Sequence, residues 1–331
     1  MARTSPETRH RTMLLMATLA ILALPAVARA GEATPEALID SLNAVFGKHK
    51  ARASHAKGIC VKGSFTPTAE AAGMSKAPHF ANTVPVLGRF SMGGGNPKVS
   101  DKAKTVRGLA VRFDPDGASS DFVMISAPMF FAKTPKQMLG FLEARVPGAD
   151  GKPDATKVKT FSEANPETGK QGAYLNARPV PASYAGVNYW AVHAFILTNA
   201  KGGASTVKFK AIPTAGEIAL SEEDVKAKPD DFLEAELEGR LAAGPAAFDL
   251  VAILGEPGDP TNDATAEWPE ASRKSVKLGS IAIAALEADA ACDAITFDPA
   301  NLQDGIAGPA DDPIFALRSA AYAISLTRRA K

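Results

Sequence analysis

The chain has 331 residues, 46% hydrophobic and 22% charged, with a formal net charge of +1. That length supports one large or two small domains with ample core. Near-neutral charge without runs of Lys or Arg argues against nucleic acid as the main partner.

Residues 1–30 read as a leader rather than as part of the fold. Arg3, Arg9 and Arg11 form a positive start, Met13 to Val27 is apolar and uncharged, and Ala28-Arg29-Ala30 places a cut before Gly31. The apolar run is short for a membrane span and Pro25 interrupts it. Without a twin arginine or a cysteine at the cut, the leader reads as Sec-type. The expectation is a periplasmic protein, residues 31–331, with no stable membrane span after cleavage.

Thr34-Pro35 caps a helix with Leu38, Ile39, Leu42, Val45 and Phe46 on one stripe, ended by Gly47. This amphipathic arm, about 34–47, can dock on its own domain or on a second copy, so a homodimer is compatible with it. Arg52-Ala53-Ser54-His55-Ala56-Lys57-Gly58 follows, and Arg89-Phe90-Ser91 then leads into the glycine-rich loop 93–95. Those glycines lack the strand–turn–helix setting of a dinucleotide fingerprint. Arg107 to Phe113 and Asp121 to Ile125 form a hairpin around Asp114-Pro115-Asp116-Gly117. Thr134 and Gln137 predict a capping box, opening a helix with Met138, Phe141 and Leu142 inward. Residues 147–180 read as a long surface connection with short helical pieces. Asn188 to Thr198 and Thr206 to Ile212 are strands, the second with Val207, Phe209 and Ala211 on one side. A helix carrying Phe232, Leu233 and Leu237 closes before Gly244-Pro245, and Asp249 to Leu254 and Ser275 to Ile283 are further strands. Paired strands with helices between the pairs predict an α+β fold, a largely antiparallel barrel with helical insertions.

Of the five histidines, His10 lies in the leader, His49 and His79 among polar or loop residues, and His193 in an aromatic strand, where it reads as a core histidine. His55, alone, reads as a hydrogen-bonded structural histidine. Trp190 and Trp268 read first as core packing. An oxidising compartment permits a disulfide between Cys60 and Cys292, and two buried free thiols fit equally well. Asp312-Pro313 starts a last helix on which Arg318 and Tyr322, four apart, share a face. Read alone they are a core tyrosine beside a surface arginine. A guanidinium beside a phenol also favours the phenolate, and a tyrosinate is one of the few side-chain ligands of haem iron.

Together these stretches resemble the haem catalases, most closely the short exported catalase-related peroxidases. The resemblance rests on Arg52-x-x-His55-Ala56-Lys57-Gly58, Arg89-Phe90-Ser91, Arg107 to Phe113, Pro128-x-Phe130-Phe131, Phe297-Asp298-Pro299 with Gly305-Ile306, and Arg318-x-x-x-Tyr322, in the family's order. It implies a catalase-type antiparallel barrel in a minimal version, without the C-terminal helical region of full catalases. It implies haem b as cofactor, with Tyr322 as axial iron ligand, Arg318 stabilising its phenolate, His55 as the distal acid–base group and Ser91 orienting it. Arg52, Arg89 and Arg329 then match the propionates. Phe131, and Met138 in place of a phenylalanine near the haem, complete the expected cofactor contacts.

One departure bears on activity. Full catalases carry Gly-Asn-Asn-Thr-Pro before the paired phenylalanines, whereas this chain has Met124-Ile125-Ser126-Ala127-Pro128, with Ile125 in place of the distal amide. The resemblance therefore implies a haem peroxidase that reduces hydrogen peroxide or organic hydroperoxides with a small organic reductant, and weak catalase activity at most. The alternatives are a hydroperoxide isomerase or lyase on the same fold, and a non-catalytic periplasmic haem carrier.

Overall fold

The computed structural model describes residues 1–2 and 33–330, so the leader expected over 1–30 lies almost wholly outside the described residues. Nine strands make one antiparallel sheet: β1 (Gly58–Pro67), β2 (Val84–Met92), β3 (Arg107–Phe113), β4 (Ser120–Ile125), β5 (Tyr189–Thr198), β6 (Ala204–Pro213), β7 (Ala246–Leu254), β8 (Ser275–Leu286) and β9 (Ile306–Ala307). They run in the order β4-β3-β2-β1-β8-β7-β6-β5-β9. The first eight close into a barrel where β4 meets β5 at the single pair Ile125↔Trp190. Farther along, β9 takes the same edge of β5 through Leu197↔Ile306.

The barrel is filled by side chains, as eight strands allow. Phe65, Phe90, Phe113, Phe122, Phe195, Phe209 and Phe248 are all buried inside. Phe122 stacks on Phe209 with ring centroids 4.3 Å apart and meets Phe113 edge-on at 5.0 Å. Packing so dense leaves the interior as core, and the functional groups lie on the outer wall.

The strands expected from alternation are present, and β1 and β2 are additions. Neither alternates cleanly in sequence. A bulge between Lys62 and Gly63 breaks the period of β1 against β8. In β2, Phe90 and Met92 face the core while Arg89 and Ser91 are buried under the outer layer, so both faces are covered from Gly88 onward. A strand buried on both sides loses the period-two signal.

The helices are α1 (Pro35–Phe46), α2 (Ala69–Met74), α3 (Pro135–Glu143), α4 (Ala155–Ala164), α5 (Lys170–Asn176), α6 (Glu222–Ala227), α7 (Phe232–Ala243), α8 (Asp289–Asp293) and α9 (Pro313–Arg329). Thr34 Oγ1 accepts from Ala37 N, capping α1, and Gly47 ends it at φ 85°. The apolar stripe of α1, Leu38, Ile39 and Leu42, packs on Met138 and Phe141 of α3 and on Leu317, Ala321 and Ile324 of α9. Asp40 pairs with Arg328 at 2.7 Å. The arm therefore docks on its own chain and covers the last helix.

The capping box at α3 forms only by half. Thr134 Oγ1 accepts from Gln137 N at 3.2 Å, but Gln137 Oε1 accepts from Lys133 N instead of Thr134 N. Its amide nitrogen donates to Asn165 and Glu167, so Gln137 is buried as a tie between α3 and the following loop. Leu139 and Leu142 are the buried apolar residues of α3, with Met138 and Phe141 half-buried beside them. Cys60 and Cys292 form a disulfide linking β1 to α8. Among the described residues, no helix is long and apolar enough to cross a membrane.

Candidate active site

His55 sits in the loop before β1 with φ 54°, a left-handed conformation that few residues other than glycine adopt. Arg89, reaching across from β2, holds the loop there: Nη1 donates to the His55 carbonyl at 2.9 Å and Nη2 to that of Ala56 at 3.1 Å. From the other side Ala53 N donates to Ser325 Oγ of α9 at 3.2 Å. His55 Nδ1 and Ser91 Oγ share a hydrogen bond of 2.9 Å.

Only glycine fits beneath that bond. A Cβ on Gly108 would lie 2.5 Å from Ser91 Oγ and 2.8 Å from His55 Nδ1. Gly108 pairs with Ser91 on one side and Ile125 on the other. Directly paired residues project to the same face, so Ser91, Gly108 and Ile125 form one row against the histidine. Burial lowers the His55 pKa to about 4, helped by the cations of Arg89, Arg318 and Arg52. The imidazole is thus neutral at physiological pH.

Tyr322 lies one helical turn beyond Arg318 on α9. Arg318 Nε donates to Tyr322 Oη at 3.0 Å, and Nη2 donates to the same oxygen. Arg318 Nη1 donates to His193 Nε2 at 3.0 Å, and His193 Nδ1 meets Asp312 Oδ2 at 2.7 Å. A guanidinium only donates, so Nε2 is the acceptor and the ring proton sits on Nδ1, donated to the carboxylate. Burial keeps His193 neutral, with Arg318 adding to this and Asp312 offsetting it in part. Burial pushes the Asp312 carboxyl up, but hydrogen bonds from His193 and from the N–H groups of Phe315 and Ile314 outweigh it and hold the pKa below its usual value. Asp312 Oδ1 caps α9 by accepting from Ile314 N and Phe315 N, while Oδ2 anchors the relay. Sequence reasoning missed both His193 and Asp312 as site residues. One looked like a core histidine and the other only like a cap, and no local spacing links position 193 to position 318.

Three of the predicted arginines converge. Arg52 lies close enough to Arg89 and Arg329 for its charge to help lower both. Each falls to about 10, burial being the larger cause. Arg329 Nε is buried without an acceptor. Such crowding of cations, with an unpaired donor, fits a ligand bearing two carboxylates, as the propionates of haem are. A phenol oxygen facing two guanidinium N–H groups fits the ligand side of the same group. Phe131 packs on Phe130 and Phe141, and Met138 joins the cluster that covers α9. Met138 therefore borders α9, and Phe131 reaches the same cluster through Phe141.

Trp190 and Trp268 are buried. Trp190 donates to Glu270 and, with Tyr174 and Arg178, borders a cavity of about 190 Å³ that neither His55 nor Tyr322 lines.

A sequence profile of the catalase family, described as "Catalase", matches residues 38–330. The chain belongs to the catalase family. Within it, this catalase-family chain is 36% identical over 304 residues to the catalase-related peroxidase of Synechococcus elongatus, covering 90% of this chain and 89% of that one. It is 37% identical over 305 residues to the catalase-related peroxidase of Mycolicibacterium paratuberculosis, covering 90% and 96%. The solved structure of catalase A from Saccharomyces cerevisiae superposes with a TM-score of 0.76 at 20% identity, over 84% of this chain and 61% of that one. The fold is thus the catalase barrel, spanning less than two thirds of the length of that solved catalase.

Proposed function

We propose that this protein is a haem b-dependent peroxidase that reduces hydrogen peroxide or organic hydroperoxides with an external organic donor, and that it dismutates peroxide weakly. The observation that carries the reading is the Tyr322 oxygen, held by two guanidinium N–H groups and backed by His193 and Asp312. Two relatives that bear the name catalase-related peroxidase, matched over 89% and 96% of their own length, support it.

Haem, when bound, supplies the iron at which the peroxide O–O bond is cleaved. Tyr322 offers its oxygen as ligand, and Arg318 stabilises negative charge on that oxygen through two charge-assisted hydrogen bonds. Arg52, Arg89 and Arg329 match the propionates. On the distal side the neutral His55 takes the proton from one peroxide oxygen and delivers it to the other as that oxygen leaves. Ser91 fixes the ring: its hydroxyl both donates and accepts, so Nδ1 stays bonded while Nε2 gains and loses the proton. Ile125, in the row with Ser91 and Gly108, offers no amide to orient a second peroxide, so a separate donor completes turnover.

The Cys60–Cys292 disulfide and the leader-like residues 1–30 support a periplasmic location. The test of the whole reading is an absorption spectrum with paired rates. We expect a Soret band without thiolate or bis-histidine character, and turnover with phenolic donors above oxygen release from peroxide alone. A protein that binds no haem, or dismutation far above donor turnover, overturns it.

A further inference from the structure

Two of the three converging arginines take their positions from one short stretch at the end of α8. Arg52 Nη1 donates to Asp293 Oδ1 at 2.6 Å and Nη2 to the Cys292 carbonyl at 2.7 Å. Arg329 Nη2 donates to the Ile295 carbonyl at 2.8 Å and to that of Asp293 at 3.1 Å. Wherever residues 292–295 go, both guanidiniums go.

That stretch is tied to the barrel by the bridge from Cys292 to Cys60, between residues 232 apart in sequence. Cys60 pairs directly with Arg89 across β1 and β2, so the bridge and the third arginine share the outer face of the barrel. The bridge is buried against Phe297. The neighbouring ties are weaker or lie farther on. Asp289 Oδ1 accepts from Cys60 N at 3.2 Å, and Arg112, paired with Asp121, donates to the Thr296 carbonyl at 2.8 Å.

We propose that the Cys60–Cys292 disulfide is a positioning element of the cofactor site, holding the end of α8 so that Arg52 and Arg329 stay set to clamp a dianionic porphyrin. This rests on the haem reading above. A dithiol reductant opens the bridge by thiol–disulfide exchange. The two cysteine sulfurs gain two electrons and two protons as thiols, and the reductant leaves as its own cyclic disulfide. The α8 end then keeps its hydrogen bonds and the packing of Ala291, Ile295 and Phe297 beside Leu87, Ala110 and Val123, but loses its one covalent tie to the barrel, and the acceptors that set the two guanidiniums gain freedom to shift. The relay from Asp312 to Tyr322 contains no residue of this stretch and remains. Retention of the cofactor is thereby coupled to an oxidising surrounding.

The test is the rate of haem transfer from the holoprotein to excess apomyoglobin. The variants are Cys60→Ala, Cys292→Ala and both together, with Leu250→Ala as a control that opens a cavity in the barrel far from α8. We expect release at least tenfold faster in all three cysteine variants, equal among them because the pair acts as a unit, and within twofold of the original protein in Leu250→Ala. In an Arg52→Ala/Arg329→Ala background, removing the bridge should add less than twofold. If the cysteine variants do not fold, dithiothreitol applied to the folded holoprotein, with thiol counting to confirm opening, gives the same readout. Release unchanged within twofold after opening, or Leu250→Ala matching the cysteine variants, overturns the proposal. A protein that takes up no haem at all overturns the haem reading instead, and the two failures are told apart by the starting spectrum.

Discussion

In the proposed haem reading His55 is the distal group, and it is positioned by contacts to its main chain and one hydrogen bond to its ring. Tyr322 is the proximal group of the same reading, and its oxygen ends a line of four side chains, Asp312, His193, Arg318 and Tyr322, drawn from α9, its cap and β5. The difference follows from what each group must do. A distal base must be neutral and free to change its protonation, so its surroundings are cationic and its outer nitrogen is left open. A ligand oxygen must hold charge steadily, so cation, neutral imidazole and carboxylate are locked in series, the last two fully buried. One side is built for exchange and the other for permanence.

Removing the ligand should break the permanent side altogether. Tyr322→Phe leaves Arg318 without its oxygen, and we expect loss of the Soret band and a fall in peroxidase turnover of at least about 10⁴-fold, the upper end of what loss of one acid–base group gives. Retention of the original spectrum would dissociate Tyr322 from the iron. Next comes the exchangeable side. His55→Ala should lower kcat/KM for peroxide by about 10²- to 10⁴-fold while the haem spectrum stays, because no proximal group is touched. A loss of haem comparable to that in Tyr322→Phe would erase the distinction between the sides.

The relay behind the ligand should give a smaller effect. His193→Gln or Asp312→Asn should cost about 10- to 100-fold in activity or cofactor affinity and shift the absorption spectrum. Asn caps a helix about as well as Asp, so Asp312→Asn should leave thermal stability nearly unchanged. A large drop in melting temperature with an unshifted spectrum would make Asp312 a cap and nothing more.

The smallest effect at neutral pH belongs to His79, outside both sides. Its ring stacks on Phe113 at 4.8 Å inside the barrel with neither nitrogen partnered, and burial lowers its pKa to about 4. As pH falls through 6.5 the unfolded chain takes up this proton and the folded chain does not, so stability falls from pH 6.5 toward 4, by up to about 3 kcal/mol. His55 acts in the same direction, less strongly because it is partly accessible. Denaturant unfolding of His79→Phe should show a shallower loss on acidification and little change at pH 7. An unchanged pH slope would remove His79 from the account.

Much of the chain's organisation is legible in its amino-acid order. The caps at Thr34 and Asp312, the hairpin around Asp114 and the alternation of β6 are local rules written in neighbouring residues, and each is present. Family motifs single out His55 and Ser91, and Arg318 and Tyr322, because they lie in recognisable short stretches, and each pair is hydrogen-bonded in the fold. β1 and β2 are not legible, since a bulge and burial on both faces remove the period that marks a strand. Two cysteines 232 residues apart leave the disulfide open.

By itself, then, the sequence determined the elements whose signals are local: capped helices, alternating strands, turn residues and the residue types able to ligate iron and shuttle protons. Tertiary structure alone decided that Arg89 holds the His55 loop, that His193 and Asp312 stand behind Arg318, and that Cys292 bonds to Cys60 beside the acceptors of Arg52 and Arg329. Those contacts join residues 33 or more positions apart, and barrel closure, not local propensity, sets which of them meet.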